Sequence, residues 1–332
     1  MYNLREIIEK SNINNSFNGR LLFDEKIAPK TSFKIGGNAP LFAEPAGVNS
    51  LIQILNILKK HKVPFFVMGG GTNIVVSDDG FEGAVISTSG LNKIEIIEDA
   101  DCTFIADASA DNDTVLVKAY CGTAMSRLVS FCTEKCISGL EPFAGLPGTV
   151  GGAAFMNARC FNLSLSDVFY SAEYLDCDFN ECRYDFNKDD WNYKVSPFSK
   201  DVSLCGQKII TSVVFRLIKK DESWRKKIEA ECSDYIRQRV EKGHFKYPCA
   251  GSVFKNNRDF GEPTGKIIDS LGLKGYSIGD AQVAPWHGNI IINRGKATAK
   301  DVLALTEFLC KKVWEQKRLR LENEIIFVGK NC

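Results

Sequence analysis

Leu51, Ile54, Leu55 and Leu58 recur at intervals of three and four, which places them on one face of a helix. The same spacing links Met125, Leu128, Val129 and Cys132, then Trp224, Ile228, Cys232 and Tyr235–Ile236, and finally Val302, Leu305, Leu309 and Val313. Shorter helices are expected at 4–10 and around Ile267, Ile268 and Leu271, the second ended by Gly272. Asn49 and Thr123 stand where N-caps are expected, and Thr298 with Asp301 makes a capping box. Short apolar runs predict strands at 64–67, 74–76, 84–86, 94–97, 103–106, 114–118, 209–217 and 289–292. The acidic stretch 107–113 reads as a solvated loop, 176–192 as strand edge and loop, and Lys219-Lys220-Asp221-Glu222 as the clearest linker. Strands cluster without regular alternation with helices, so the pattern predicts an α+β protein rather than a doubly wound sheet.

Composition narrows the function classes. The 332 residues carry 42 basic and 41 acidic side chains, so bulk charge points to neither a nucleic-acid nor an anionic-membrane partner. No stretch approaches the roughly 18 apolar residues of a membrane span, and the start lacks the apolar block of a secretion signal. Cytoplasm is therefore expected. Twelve cysteines include no Cys-x-x-Cys pair, and His61, His244 and His287 are dispersed, so free thiols are expected and no metal centre.

Two segments change the picture. Gly69-Gly70-Gly71-Thr72-Asn73 follows a predicted strand; it lacks the lysine of a P-loop and the spacing of a dinucleotide fingerprint. Three glycines permit a sharp turn with peptide N–H groups close to a ligand, while Thr72 and Asn73 add side-chain donors and acceptors. The run from Gly139 to Ala153 carries Gly145, Pro147, Gly148, Thr149, Gly151 and Gly152 and supplies little core for its length. Each segment alone reads as a turn or as a ligand cradle. Together they favour a cradle for an anionic cofactor.

These segments belong to an ordered series. It starts with Thr31-Ser32-Phe33-Lys34-Ile35-Gly36-Gly37, continues through the two glycine runs and Ala154-Phe155-Met156-Asn157, and reaches Ala250-Gly251-Ser252-Val253-Phe254-Lys255-Asn256. Gly265-Lys266-Ile267-Ile268-Asp269, His287, Asn293 and Glu324-Ile325-Ile326-Phe327-Val328-Gly329 complete it. From about residue 29 to 329 the chain resembles the UDP-N-acetylenolpyruvoylglucosamine reductase family, in its shorter type. The resemblance implies a two-lobed FAD-binding domain of the vanillyl-alcohol-oxidase (PCMH) type at 26–219. An α+β substrate domain at 222–321 would close over it, and a terminal strand at 322–332 would return to the first half. FAD would lie noncovalently between the lobes, held by Gly69, Gly70, Gly71, Thr72 and Asn73 and by Gly145, Pro147, Gly148, Thr149, Gly151 and Gly152.

The implied reaction is NADPH-dependent reduction of the enolpyruvyl ether of a UDP-amino sugar, with hydride from flavin N5, in peptidoglycan precursor synthesis. The substrate would be a small molecule and the protein a monomer. Ser252 corresponds to the proton donor, and Glu324, rather than neighbouring Glu322, to the acid that polarises the substrate carboxylate in its protonated form. Lys194 stands where the family has arginine; it keeps the charge but loses the two-donor fork. Either a point charge suffices, or another arginine, Arg183 or Arg216, reaches the site. Lys255 and Asn256 match diphosphate or sugar contacts, and Arg239 and Lys242 match basic positions near the UDP moiety. After Asn157 the family's Ala-Gly-Ala-Tyr-Gly is replaced by Ala158-Arg159-Cys160-Phe161-Asn162, which implies another loop path. An oxidase or dehydrogenase of the same fold, and a nonenzymatic flavin binder, are the alternative functions.

Overall fold

A computed structural model describes residues 3–11, 13, 16–97, 113–199 and 208–330. The strand expected at 103–106 and residues 107–112 of the acidic loop lie outside them. The first sheet orders its strands Gly19–Lys26, Asn38–Pro45, Ala84–Ser87 and Phe65–Met68. Its first pair is antiparallel and the others parallel. Helix Val48–Lys60 closes one face by burying Leu51, Ile54, Leu55 and Leu58, the four residues of the apolar spacing. Asn49 is not its cap: the helix starts at Val48 after extended Gly47, so Asn49 already lies inside the first turn.

The second sheet runs Glu181–Asp185, Phe169–Leu175, Ile209–Lys219, Thr114–Tyr120 and Ile94–Ile97, all antiparallel. Helix Met125–Glu134 buries Met125, Leu128, Val129 and Cys132. Thr123 does not cap it; Ala124 occupies that position, and the buried Thr123 hydroxyl donates to the Lys93 carbonyl at 3.3 Å.

Helix Arg225–Glu241 leads to the third sheet, ordered Cys249–Ser252, Ile290–Asn293, Ala281–Val283 and Ser277–Ile278. Helix Ala299–Lys317 starts with the expected Thr298–Asp301 capping box and buries Val302, Leu305, Leu309 and Val313. One mixed and two antiparallel sheets with segregated helices are the α+β class that the pattern predicts.

One apolar cluster joins the third sheet to the first hundred residues: Phe33, Ile35 and Val75 pack with Val253, Phe254, Val302 and Ile325. Polar ties reinforce it. The Ser32 hydroxyl donates to the Cys249 carbonyl at 2.7 Å and the Asn293 amide to the Phe33 carbonyl at 3.1 Å. The Asp78 carboxylate accepts the N–H groups of Ala299 and Lys300 at 2.8 and 3.2 Å, where a negative charge complements the helix dipole. Strand Ile326–Val328 pairs in parallel with Ile74–Val76, immediately after the triple-glycine turn.

Candidate active site

The glycines of the two segments are required by each other. A Cβ on Gly70 would stand 2.7 Å from the Gly148 Cα, one on Gly69 2.5 Å from Thr149 Oγ1, and one on Gly148 2.8 Å from Thr72 Oγ1. Gly71 and Gly148 also hold φ of +62° and +109°, which disfavours any side chain. The backbone rows 69–72 and 148–149 therefore interlock, and helix Val150–Phe155 begins directly behind them. Among the described residues, no hydrogen bond to a protein acceptor is made by the peptide N–H groups of Gly70, Gly71, Thr72, Gly148 or Thr149. Such a row of free donors beside a helix start suits an anionic diphosphate.

Two of the catalytic candidates, Lys194 and Glu324, meet beside this turn, and Ser252 precedes the residue that holds the Glu324 backbone. Glu324 is held by its backbone from two sides: its N–H donates to the Val253 carbonyl at 2.7 Å, and its carbonyl accepts from Asn73 Nδ2 at 3.0 Å. Asn73, read from sequence as a cofactor contact, thus spends its side-chain amide on Glu324. Ser252 ends the strand next to Val253, half-buried, after Gly251 at φ +75° with open space where its Cβ would be.

Lys194 lies 130 residues away in sequence, yet its Nζ sits 2.6 Å from Glu324 Oε1, with side-chain exposures of only 13% and 9%. It occupies a two-residue turn closed by reciprocal 3.1 Å bonds between Asn192 and Val195. Its φ of +57° is uncommon for a long side chain, a strain that surroundings must hold in place. Those surroundings are the cradle itself. Ser196 Oγ donates to the Phe155 carbonyl at 2.6 Å and Asn157 Nδ2 to the Asn192 carbonyl at 2.9 Å, so the turn rests on the end of the glycine-rich helix. Arg183 pairs with Asp185 at the sheet edge, and Arg216 lies 5.7 Å from the Tyr170 ring centroid. Lys194 is the cation found at Glu324.

Lys255 pairs with Glu322, which is exposed, whereas Glu324 is enclosed. Asn256 Oδ1 accepts the Thr264 N–H at 3.0 Å, and its own N–H reaches the Tyr193 hydroxyl at 3.4 Å. Nothing local in the sequence ties Tyr193 to Asn256. Arg239 is buried and donates to the carbonyls of Ala144 and Pro142 at 2.9 and 3.2 Å, so it fastens the loop ahead of Gly145. Lys242 Nζ lies 5.0 Å from the Phe161 ring centroid.

Residues 158–162 enter a small hairpin in which Arg159–Cys160 pairs with Leu163–Ser164. Arg159 faces solvent, so its bulk costs nothing, while Cys160 is buried. Burial pushes the Cys160 thiol up, against the opposing influence of Arg239 and Lys194. His244 is pulled down to about 4, chiefly by burial and then by the Arg239 charge and by His287. Among the described residues, no group of three or more His, Cys, Asp or Glu is arranged to hold a metal. No described helix is long and apolar enough to cross a membrane.

An interlocked glycine turn with free donors suits a cofactor diphosphate, and residues 39–178 match the FAD binding domain family, which makes this an FAD-binding protein. Residues 243–328 match the UDP-N-acetylenolpyruvoylglucosamine reductase C-terminal domain. The reductase of Treponema denticola is 42% identical over 318 residues, covering 94% of both chains. That of Thermotoga petrophila is 40% identical, covering 91% of this chain and 96% of its own. The crystal structure of the Thermus caldophilus reductase superposes with a TM-score of 0.70 at 26% identity, covering 94% of this chain and all of that one. The chain belongs to the UDP-N-acetylenolpyruvoylglucosamine reductase family. Its cradle fits the family's FAD: the donors at 70–72 and 148–149 suit the diphosphate, and the interlocked glycines fix their spacing.

Proposed function

We propose that the protein reduces the enolpyruvyl ether of UDP-N-acetylglucosamine to UDP-N-acetylmuramate with NADPH, as an oxidoreductase of peptidoglycan precursor synthesis. Bound FAD supplies the hydride relay between the two substrates. The observation that carries the reading is the enclosed Lys194–Glu324 pair held against the Ser252–Val253 strand at the rim of the glycine cradle. A cation and a carboxyl group at one point, with a hydroxyl on the adjoining strand, are what addition of hydride to a carboxyvinyl group needs. Lys194 neutralises the substrate carboxylate, Glu324 polarises it as charge develops, and Ser252 delivers the proton to the carbon beside it.

Lys255, Asn256 and Lys242 are the proposed contacts to the diphosphate and sugar. Arg239 acts on them indirectly, through the 142–145 loop that it holds. The proposed division is an FAD half at 26–219, a substrate domain at 222–321 and a returning strand at 322–332. The shared core of Phe33, Val75, Phe254 and Ile325 favours a fixed junction between the halves over a wide hinge. A cytoplasmic monomer with a role in cell shape and division follows from this reading. The test is turnover with NADPH, comparing the enolpyruvyl sugar nucleotide with simple alcohols. Reduction of the sugar nucleotide alone supports the proposal, and oxidation of alcohols in its place overturns it.

A further inference from the structure

Tyr184 stands on the edge strand Glu181–Asp185, opposite Ala172. Its hydroxyl has one proton to donate and two lone pairs to accept with, and all three are in use. It donates to the Asp190 carboxylate at 3.0 Å, the nearer of its two acceptors. It accepts the Asn187 N–H at 3.2 Å and the Trp191 Nε1–H at 3.3 Å. Trp191 immediately precedes Asn192, whose bonds with Val195 close the turn that carries Lys194. We infer that Tyr184 is a positioning residue for the reduction: through Trp191, its hydroxyl holds the Lys194 ammonium in place. The inference deepens the proposed function and rests on it.

The turn is gripped from two sides. On one, Ser196 and Asn157 tie it to the glycine-rich helix. On the other, Trp191 before the turn and buried Phe198 after it both pack on Tyr184, with ring centroids 6.5 and 5.5 Å away. Phe169 backs Trp191 at 4.7 Å. The rings supply burial, which is non-directional. The hydroxyl supplies direction, because its bond to the Trp191 N–H sets where the indole, and so the start of the turn, must sit. A lysine at φ +57° relaxes toward negative φ when its neighbours loosen. Lys194 Nζ lies 2.6 Å from Glu324, so a shift of about 1 Å at the turn misplaces the charge, and misplacement of that size costs up to about 100-fold in rate. Among the described residues, the polar bonds of Tyr184 go to Asn187, Asp190 and Trp191. Loss of the hydroxyl therefore leaves the glycine rows 69–72 and 148–149 untouched.

The test is Tyr184→Phe, which keeps the ring and removes the hydroxyl, made alone and together with Lys194→Ala in the FAD-loaded enzyme. Stopped-flow absorbance follows bleaching by NADPH and anaerobic re-oxidation by the enolpyruvyl sugar nucleotide. With Lys194 present, re-oxidation at saturating sugar nucleotide should slow about 10- to 100-fold, while bleaching stays near wild type. With Lys194→Ala already in place, Tyr184→Phe should slow re-oxidation no further, although it lowers Tm in both backgrounds. A merely structural role would not give that split, since general loosening acts with or without Lys194. Trp191→Phe cuts the same bond from its other end and takes the place of Tyr184→Phe if that variant fails to load FAD. Re-oxidation at the wild-type rate, equal slowing of both half-reactions, or an equal further loss in the Lys194→Ala background overturns the inference. A wild-type enzyme whose bleached flavin the sugar nucleotide does not re-oxidise overturns the functional reading, and the inference falls with it.

Discussion

Lys194 is the residue on which the proposed chemistry turns, and its backbone says as much as its charge. A non-glycine residue at φ +57°, held by Asn192, Asn157 and Ser196, aims an ammonium at Glu324 that ordinary turn chemistry does not require. Lys194→Ala should cut enolpyruvyl reduction by about 100-fold or more, since removing one partner of an enclosed pair strands the other. Lys194→Arg should retain most of the rate, and a fully active alanine variant would move the cationic role elsewhere. Ser252→Ala should separate the half-reactions. Bleaching by NADPH stays near wild type, while re-oxidation by the sugar nucleotide slows about 100- to 10,000-fold, as expected for a lost positioned proton donor. Stopped-flow absorbance with bound FAD and substrate affinity measured in parallel decides it; wild-type re-oxidation would remove Ser252 from the role.

At the scale of elements, the interlocked glycine segments make a sharper prediction than the sequence did. Sequence reasoning gave the glycines the task of letting the backbone approach a ligand. The geometry adds an earlier task, the approach of one segment to the other. Gly70→Val places a side chain 2.7 Å or less from the Gly148 backbone, so the segments must part. Flavin absorbance per folded chain should fall steeply while circular dichroism reports the sheets intact; full occupancy would contradict this account. Asp78→Ala removes the acceptor of two N–H groups at the start of Ala299–Lys317 and should cost about 1 kcal/mol, read as a lower Tm. His244 gives an acid limb. Its folded value near 4 lies below the ordinary 6.5, so its contribution is complete above about 6.5 and is lost as pH falls toward 4. His244→Gln should flatten the fall of Tm over that range, leaving the slope from His287, whose value burial also lowers. Identical slopes in wild type and variant would show that His244 is not buried as described.

Across the whole molecule, what the sequence made legible was periodic or local. Helix faces such as 51, 54, 55 and 58 and the Thr298 capping box are fixed by neighbours within a turn or two, and they were read correctly. Asn49 and Thr123 failed as caps because each helix boundary was set by tertiary packing one or two residues from the side chain that looked suitable. Strand Phe169–Leu175 escaped because its alternation is weak; its pairing with Glu181–Asp185 and Ile209–Lys219 defines it. The meeting of Asn73, Lys194, Val253 and Glu324 is invisible to any local pattern, since four distant segments supply it. The resemblance named its members, and the fold explains why they converge. In the proposed chemistry this convergence reduces a carboxyvinyl sugar nucleotide through bound FAD. Its most direct test is the visible spectrum of the purified enzyme under anaerobic conditions. NADPH should bleach the flavin bands, and adding the enolpyruvyl sugar nucleotide should restore them stoichiometrically with formation of UDP-N-acetylmuramate. Bands that stay bleached after that addition, with the ligand shown to be bound, would contradict the account.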